Sequence, residues 1–332
     1  MKLLVLGLGS MGKRRIRNLQ SLSSNEILGF DVRADRRQES EQKYGIRTVN
    51  TFEDALREDV DAFIISTPPE THVKYATAAV ERNKPFLMEA TVVAEGLEEL
   101  NRKCKEKNLV AAPSCTMRFH PAVKIMKKLL DEGAIGRVLA FTHHCGNYLP
   151  DWHPYEDYRS FYAARRQTGA AKEMVPFELV WLTWILGDIS EISCLKGKTS
   201  SLDADIDDVY QLLLRFANGA LGNMLVDVVS RDSVRSTRIV GEKGTIQWSW
   251  PANLVRFYKA SDGAWEEVHV DEGEPEKYYK AGEKMYIEEM NCFLRAVKRE
   301  GPYIHSFDDD IRVLNLLAAA ERSSKKGTHV RT

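Results

Sequence analysis

An apolar run, Leu3-Leu4-Val5-Leu6, ends in Gly7-Leu8-Gly9-Ser10-Met11-Gly12 and passes directly into a helix-like stretch, Lys13 to Leu19. A G-x-G-x-x-G turn between a strand and a helix uses its glycines for separate purposes. One makes the tight turn, one lets the backbone approach a pyrophosphate, and one lets the helix pack close to the strand. The free N–H groups that begin the helix, with Ser10 and Met11 among them, then hold the pyrophosphate. A second apolar strand, Ile27 to Phe30, ends in Asp31. An acidic residue about 20 positions past the turn is the expected partner of a ribose 2′-hydroxyl. Together these signals predict a nicotinamide dinucleotide site on a parallel α/β domain.

A chain of 332 residues suggests two domains with ample material for buried cores. It carries 47 Lys and Arg against 48 Asp and Glu, so no global charge draws it to nucleic acid or to an anionic membrane. The basic cluster Lys13-Arg14-Arg15-Ile16-Arg17 reads as a solvated face of the first helix, or alternatively as electrostatic support for the phosphates. Five scattered cysteines, Cys104, Cys115, Cys145, Cys194 and Cys292, lack C-x-x-C spacing. Neither a disulfide framework nor a metal site is expected, and reduced, mostly buried thiols suit the cytoplasm. No cleavable leader is read ahead of the first strand, and no apolar stretch approaches the roughly 18 residues of a membrane span.

Residues 1–117 alternate short β-type runs with helical segments, which predicts a doubly wound parallel sheet. Ser66-Thr67-Pro68-Pro69 stops the fourth strand and opens a helix over 71–82. Because ligands bind beyond the carboxyl ends of such strands, Gly9, Asp31, Thr67 and Glu89 should gather around one crevice. Residues 118–332 form a second α/β domain. Its strand candidates give an open, mostly antiparallel sheet, with Asn218-Gly219 as a hairpin turn. A helix is expected from Pro176, and two more, over 283–298 and 306–325, close the chain; the C-terminal one is free to pack back on the first domain.

The chain resembles the Gfo/Idh/MocA family of NAD(P)-dependent oxidoreductases over nearly its whole length. The residues that carry the resemblance are the glycine turn, Ser66 through His72, Met117-Arg118-Phe119-His120-Pro121, Asp208 through Gly219 and Gly241 through Ile246. Tyr148 through Pro154, with Tyr158-Arg159 and Phe161-Tyr162-Ala163, is similar to a subgroup that handles sugars and surface-polysaccharide precursors. The resemblance implies a Rossmann domain followed by an α/β domain whose open sheet covers the nicotinamide and often serves in oligomerisation, so a homodimer or homotetramer is expected. It also implies cofactor contacts from Gly7, Gly9, Ser10, Met11, Gly12, Asp31, Arg33, Thr67, Pro68, His72 and Glu89.

The sequence departs from the family where protons are handled. The usual Glu-Lys-Pro reads Glu89-Ala90-Thr91, and Glu173 and Phe177 stand at the places of an Asp and of the acid/base His. Replacement candidates are Glu173, Lys172, His153 and Glu178. Arg118, His120, Trp152, Tyr158, Arg159 and Tyr162 are the expected substrate contacts. Their aromatic rings suit a sugar face, and arginines there could hold a carboxylate or phosphate. Asp31 would repel a 2′-phosphate, so NAD is expected, with NADP as the alternative because Arg33, Arg36 and Arg37 follow. The expected function is hydride transfer to or from a sugar, sugar derivative or cyclitol. The alternatives are a bilin-reductase-like enzyme without a dedicated lysine, and a non-catalytic nicotinamide- or sugar-binding regulator.

Overall fold

The computed structural model describes residues 1–22, 25–152, 156–276 and 281–332. In chain order the first elements are β1 (Lys2–Leu6), α1 (Ser10–Leu22), β2 (Glu26–Phe30), α2 (Ala34–Tyr44), β3 (Arg47–Val49), α3 (Phe52–Arg57), β4 (Ala62–Ile65), α4 (His72–Glu81), β5 (Phe86–Met88), α5 (Leu97–Glu106) and β6 (Ala111–Pro113). Then follow α6 (Pro121–Asp131), β7 (Val138–Tyr148), α7 (Ala170–Leu186), β8 (Ile189–Gly197), β9 (Val209–Phe216), β10 (Leu221–Asp227), β11 (Val229–Gly241), β12 (Gly244–Ser249), β13 (Leu254–Lys259) and β14 (Ala264–His269). The chain closes with α8 (Lys284–Val297), α9 (Phe307–Lys326) and β15 (Val330–Arg331).

Two compact units result: Met1–Thr116 with Glu283–Ile311, and Met117–Gly282 with Arg312–Thr332. A boundary drawn along the sequence at 117 leaves 283–311 in the second domain, whereas their contacts belong to the first. The cause is apolar: Met290, Phe293 and Leu294 of α8 complete a core with Leu3, Ile16, Leu19, Ile64 and Leu87. The first unit holds a six-stranded sheet in the order β3-β2-β1-β4-β5-β6, parallel throughout. Strand order reverses at β1, so the carboxyl ends of β1 and β4 open the crevice where such sheets bind ligands. Thr51 caps α3 by accepting from the Asp54 N–H, one of the helix's orphan donors.

The second unit is a nine-stranded sheet in the order β14-β13-β12-β11-β7-β10-β9-β8-β15. β7 and β10 pair in parallel and every other neighbouring pair is antiparallel. In β9, Tyr210, Leu212, Leu214 and Phe216 are buried while Gln211, Leu213 and Arg215 are exposed, the period-two pattern of a sheet covered on one face. α7 packs on β7, β9 and β10. The expected hairpin forms, with Gly219 at φ +88°. One expectation fails: α7 begins at Ala170, which puts Pro176 inside the helix. Its buried run, Met174 through Leu182 apart from Phe177, outweighs the single backbone bond that proline removes. Among the described residues no helix is long and apolar enough to cross a membrane.

Candidate dinucleotide and substrate sites

The glycine turn is closed by its own geometry. A Cβ at Gly12 would lie 1.8 Å from the Gly7 carbonyl oxygen, and one at Gly7, where φ is +86°, would lie 2.5 Å from the Ser66 carbonyl oxygen. Gly9 differs, because a Cβ there would meet only the Arg36 guanidinium, 3.3 Å away. Two glycines therefore build the turn, and the third leaves its outer surface open to a phosphate. Asp31 at the end of β2 is bound into the same turn. Its Oδ2 accepts from the Leu8 N–H at 2.7 Å and its Oδ1 from the Arg33 N–H at 2.8 Å. The Arg33 side chain turns instead to Asp35, while Arg37 donates to the Asp31 carbonyl oxygen. These features fit a dinucleotide with a free ribose hydroxyl.

After β4, the His72 Nε2 lies 2.7 Å from the Thr67 carbonyl oxygen and ties down the Thr67-Pro68 loop. Burial pushes the His72 ring down to about 4, against the pull of that hydrogen bond, so the neutral ring donates. At the end of β5, the Glu89 carboxylate accepts from Arg15 Nε at 2.6 Å and Arg15 Nη2 at 3.0 Å.

In the second unit, α7 presents neighbouring residues to different partners. The Lys172 ammonium lies 3.2 Å from Glu321, whereas Glu173 Oε1 accepts from the Tyr162 hydroxyl at 3.2 Å. Glu178 is wholly buried: Oε1 accepts from Arg235 at 2.7 Å and Oε2 from Trp181 Nε1 at 2.7 Å, with His143 Nε2 3.1 Å away. Burial pushes its carboxyl up, but the Arg235 charge and the His143 and Trp181 contacts prevail and hold it at about 2. So enclosed, the carboxylate ties α7 to β7 and β11 through His143 and Arg235.

Comparison with known proteins identifies the family. The profile described as "Oxidoreductase family, NAD-binding Rossmann fold" matches residues 1–114, and the GFO/IDH/MocA C-terminal domain matches 123–247. The chain belongs to the Gfo/Idh/MocA oxidoreductase family. A levoglucosan dehydrogenase of Pseudarthrobacter phenanthrenivorans is 26% identical over 64% of this chain, an alignment that spans 62% of that relative. The myo-inositol 2-dehydrogenase of Thermotoga maritima is 24% identical over 100% of this chain and 98% of its own. A solved levoglucosan dehydrogenase in complex with NADH and levoglucosan superposes with a TM-score of 0.85 at 20% identity, covering 100% of this chain and 99% of that one. At that identity the likeness speaks for the fold.

For this family member, the expected substrate contacts scatter. Arg118 is buried and donates to the Val180 carbonyl oxygen inside α7. His120 is fully buried: its Nδ1 caps α6 by accepting from the Ala122 N–H, and its Nε2 lies 3.1 Å from Glu272. Both are buried within the second unit and bonded to its backbone, Arg118 at α7 and His120 at the start of α6. The Tyr158 hydroxyl accepts from the Asp203 N–H, and Arg159 pairs with Asp157 and Asp203. Arg166 likewise pairs with Asp205 and Asp207. Trp152 is partly buried, and His153 lies outside the described residues. Tyr162, an expected substrate contact, and Glu173, an acid/base candidate, meet side chain to side chain.

The basic cluster of α1 is the largest correction. Arg14 and Arg15 are buried, not solvated: Arg14 donates to Glu283 and lies over the Tyr286 ring, and Arg15 reaches Glu89 and Glu289. Acidic partners from α8 and from the end of β5 make that burial possible. No local signal announces them.

Proposed function

We propose that this chain is an NAD-dependent dehydrogenase that transfers a hydride between nicotinamide and a hydroxyl-bearing carbon of a neutral sugar or cyclitol. The observation that carries this reading is Asp31 bound into the closed glycine turn, which suits a free 2′-hydroxyl better than a 2′-phosphate. The compounds for which the relatives are named, levoglucosan and myo-inositol, support a neutral polyol. So does the pairing of Arg159 with Asp157 and of Arg166 with Asp205. NAD, when bound, supplies the hydride acceptor. The chain must then manage one proton. With Ala90 and Phe177 at the places of the usual lysine and histidine, Glu173 takes the substrate's hydroxyl proton at Oε2, while the Tyr162 hydroxyl holds Oε1. A homo-oligomer through the open sheet belongs to the same proposal, supported by exposed Leu195, Leu213 and Leu221 on one face.

The test is a panel of neutral polyols, anhydrosugars, cyclitols and acidic sugars with NAD and NADP, following reduced nicotinamide by absorbance. Turnover should favour NAD and the neutral compounds. Glu173→Gln should then lower kcat roughly 10²- to 10⁴-fold, the usual worth of a positioned acid/base, with NADH affinity unchanged. Tight NADH binding without turnover on any compound, at stoichiometric protein, would favour a binding protein instead, the reading that Ala90 and Phe177 support.

A further inference from the structure

We propose that Arg15 is a positioning residue of the cofactor site, which fixes Glu89 as the hydrogen-bond acceptor for the nicotinamide half of the dinucleotide. Its first support is geometry. The guanidinium holds Glu89 as a two-bonded fork, at 2.6 and 3.0 Å, and Ser66 Oγ lies 3.4 Å from the same carboxylate. A fork fixes orientation as well as charge, which a single ammonium does not.

The second support is the distribution of charge. Glu289 is completely buried and already accepts from Ser114 Oγ at 3.0 Å, the Cys115 N–H at 2.6 Å, Thr116 Oγ1 at 2.7 Å and the Tyr303 hydroxyl at 3.1 Å, besides Arg15 at 2.7 Å. Those donors occupy both of its oxygens. Two carboxylates thus face one guanidinium, and the one with exposed surface is Glu89, whose side chain is 12% accessible against none for Glu289. The third support is place. Glu89 directly follows β5, on the β4–β6 side of the strand-order reversal, opposite the β2 side where Asp31 would meet the adenine-linked ribose. The residue after it is Ala90, so no adjacent lysine neutralises its charge, and Arg15 is the cation that remains.

The inference rests on the reading of this crevice as a nicotinamide dinucleotide site, and two ligands separate the two ideas. NADH is titrated by its fluorescence and ADP-ribose by calorimetry, on the full chain and on Glu89→Gln and Arg15→Lys. Glu89→Gln should weaken NADH roughly ten- to a hundredfold, the range for a hydrogen bond to a charged group, and leave ADP-ribose within about twofold. Arg15→Lys keeps the charge without the fork and should weaken NADH by about tenfold, again sparing ADP-ribose. Equal losses for both ligands, no loss for NADH, or a wild type that binds the two equally would overturn the inference. Glu89→Gln is nearly isosteric at a partly exposed position, so it decides the matter even if the lysine variant does not fold. A wild type that binds neither ligand would instead remove the nucleotide reading itself.

Discussion

Each unit holds a buried carboxylate paired with an arginine, and the two arrangements are built in opposite ways. In the first, Arg15 is shared between Glu89 and Glu289, so two anions face one cation. In the second, Glu178 is shared between Arg235 and His143, with the indole of Trp181 as a further donor. The Glu178 network joins α7 to β7 and β11 and leaves that carboxylate no exposed surface. The Arg15 network joins α1, β5, β6 and α8 and leaves Glu89 an edge at the end of a strand that borders the nucleotide crevice. A buried pair whose charges cancel in place holds elements together. One that leaves an anion over, at the edge of a ligand site, can also work on the ligand.

The sharpest way to break this comparison is to remove Glu178. Glu178→Leu leaves Arg235 without its carboxylate in a buried site, and loss of one partner of such a pair costs about 3–5 kcal/mol. All six tryptophans, at 152, 181, 184, 248, 250 and 265, lie in the second unit, so tryptophan fluorescence during urea unfolding reads that unit alone. The midpoint should fall steeply while NADH affinity holds. Glu178→Leu combined with Arg235→Met should recover most of the loss, because an apolar pair of similar volume replaces a buried ion pair at little cost. NADH weakened by Glu178→Leu as much as by Glu89→Gln would show that the two networks are not distinct in role.

A smaller effect sharpens the contrast from the other side, through protons. His72 is held neutral at about 4, whereas an unfolded histidine titrates near 6.5. Between those values the unfolded chain binds a proton that the folded chain does not. Stability from His72 is therefore fully present above about pH 6.5 and is lost as pH falls towards 4, at up to about 1.4 kcal/mol per unit. Hydrogen exchange of the α4 amides should show this slope, and His72→Gln, whose amide can still donate to Thr67, should flatten it. An unchanged slope in the variant would place the acid sensitivity elsewhere.

What could be read from the sequence divides along the range of the interactions. The cradle was legible because Gly7, Gly9, Gly12 and Asp31 act within one strand-turn-helix-strand unit, and each glycine has a steric reason visible in the motif. Arg15 was not legible. Its partners Glu89 and Glu289 are 74 and 274 residues away, and a basic run read by itself looks like a solvated face. Lys172 and Glu173 part for a local reason. Pro176 lies inside α7 and not at its start, and on a helix neighbours are turned by about 100°. That rotation sends Lys172 to Glu321 and Glu173 to Tyr162, which separates two residues that adjacency in sequence had joined. His120 misled for another reason: a histidine before a proline can cap a helix, and its ring is then committed to the backbone.

The smallest expected effect concerns the exposed loop, where the arginines and acids are balanced in the open. Arg159 is about half exposed, as is Asp157, and Asp203 is more exposed still. Solvent screens such pairs, so Arg159→Ala should leave the tryptophan-detected unfolding midpoint where it was. Its value lies in what it says about the substrate. If the loop holds a neutral polyol, kcat/KM for the best neutral substrate should change by less than about threefold, since no charge on the ligand answers the guanidinium. A substrate bearing a carboxylate or phosphate would engage Arg159 as a fork, and losing a hydrogen bond to a charged group would lower kcat/KM by roughly ten- to a hundredfold. A drop of that size on an acidic sugar would mean that Asp157 and Asp203 hold the guanidinium in readiness for an anion. The two units would then be alike, with an arginine in each set among acids to position a charge that binds or is bound.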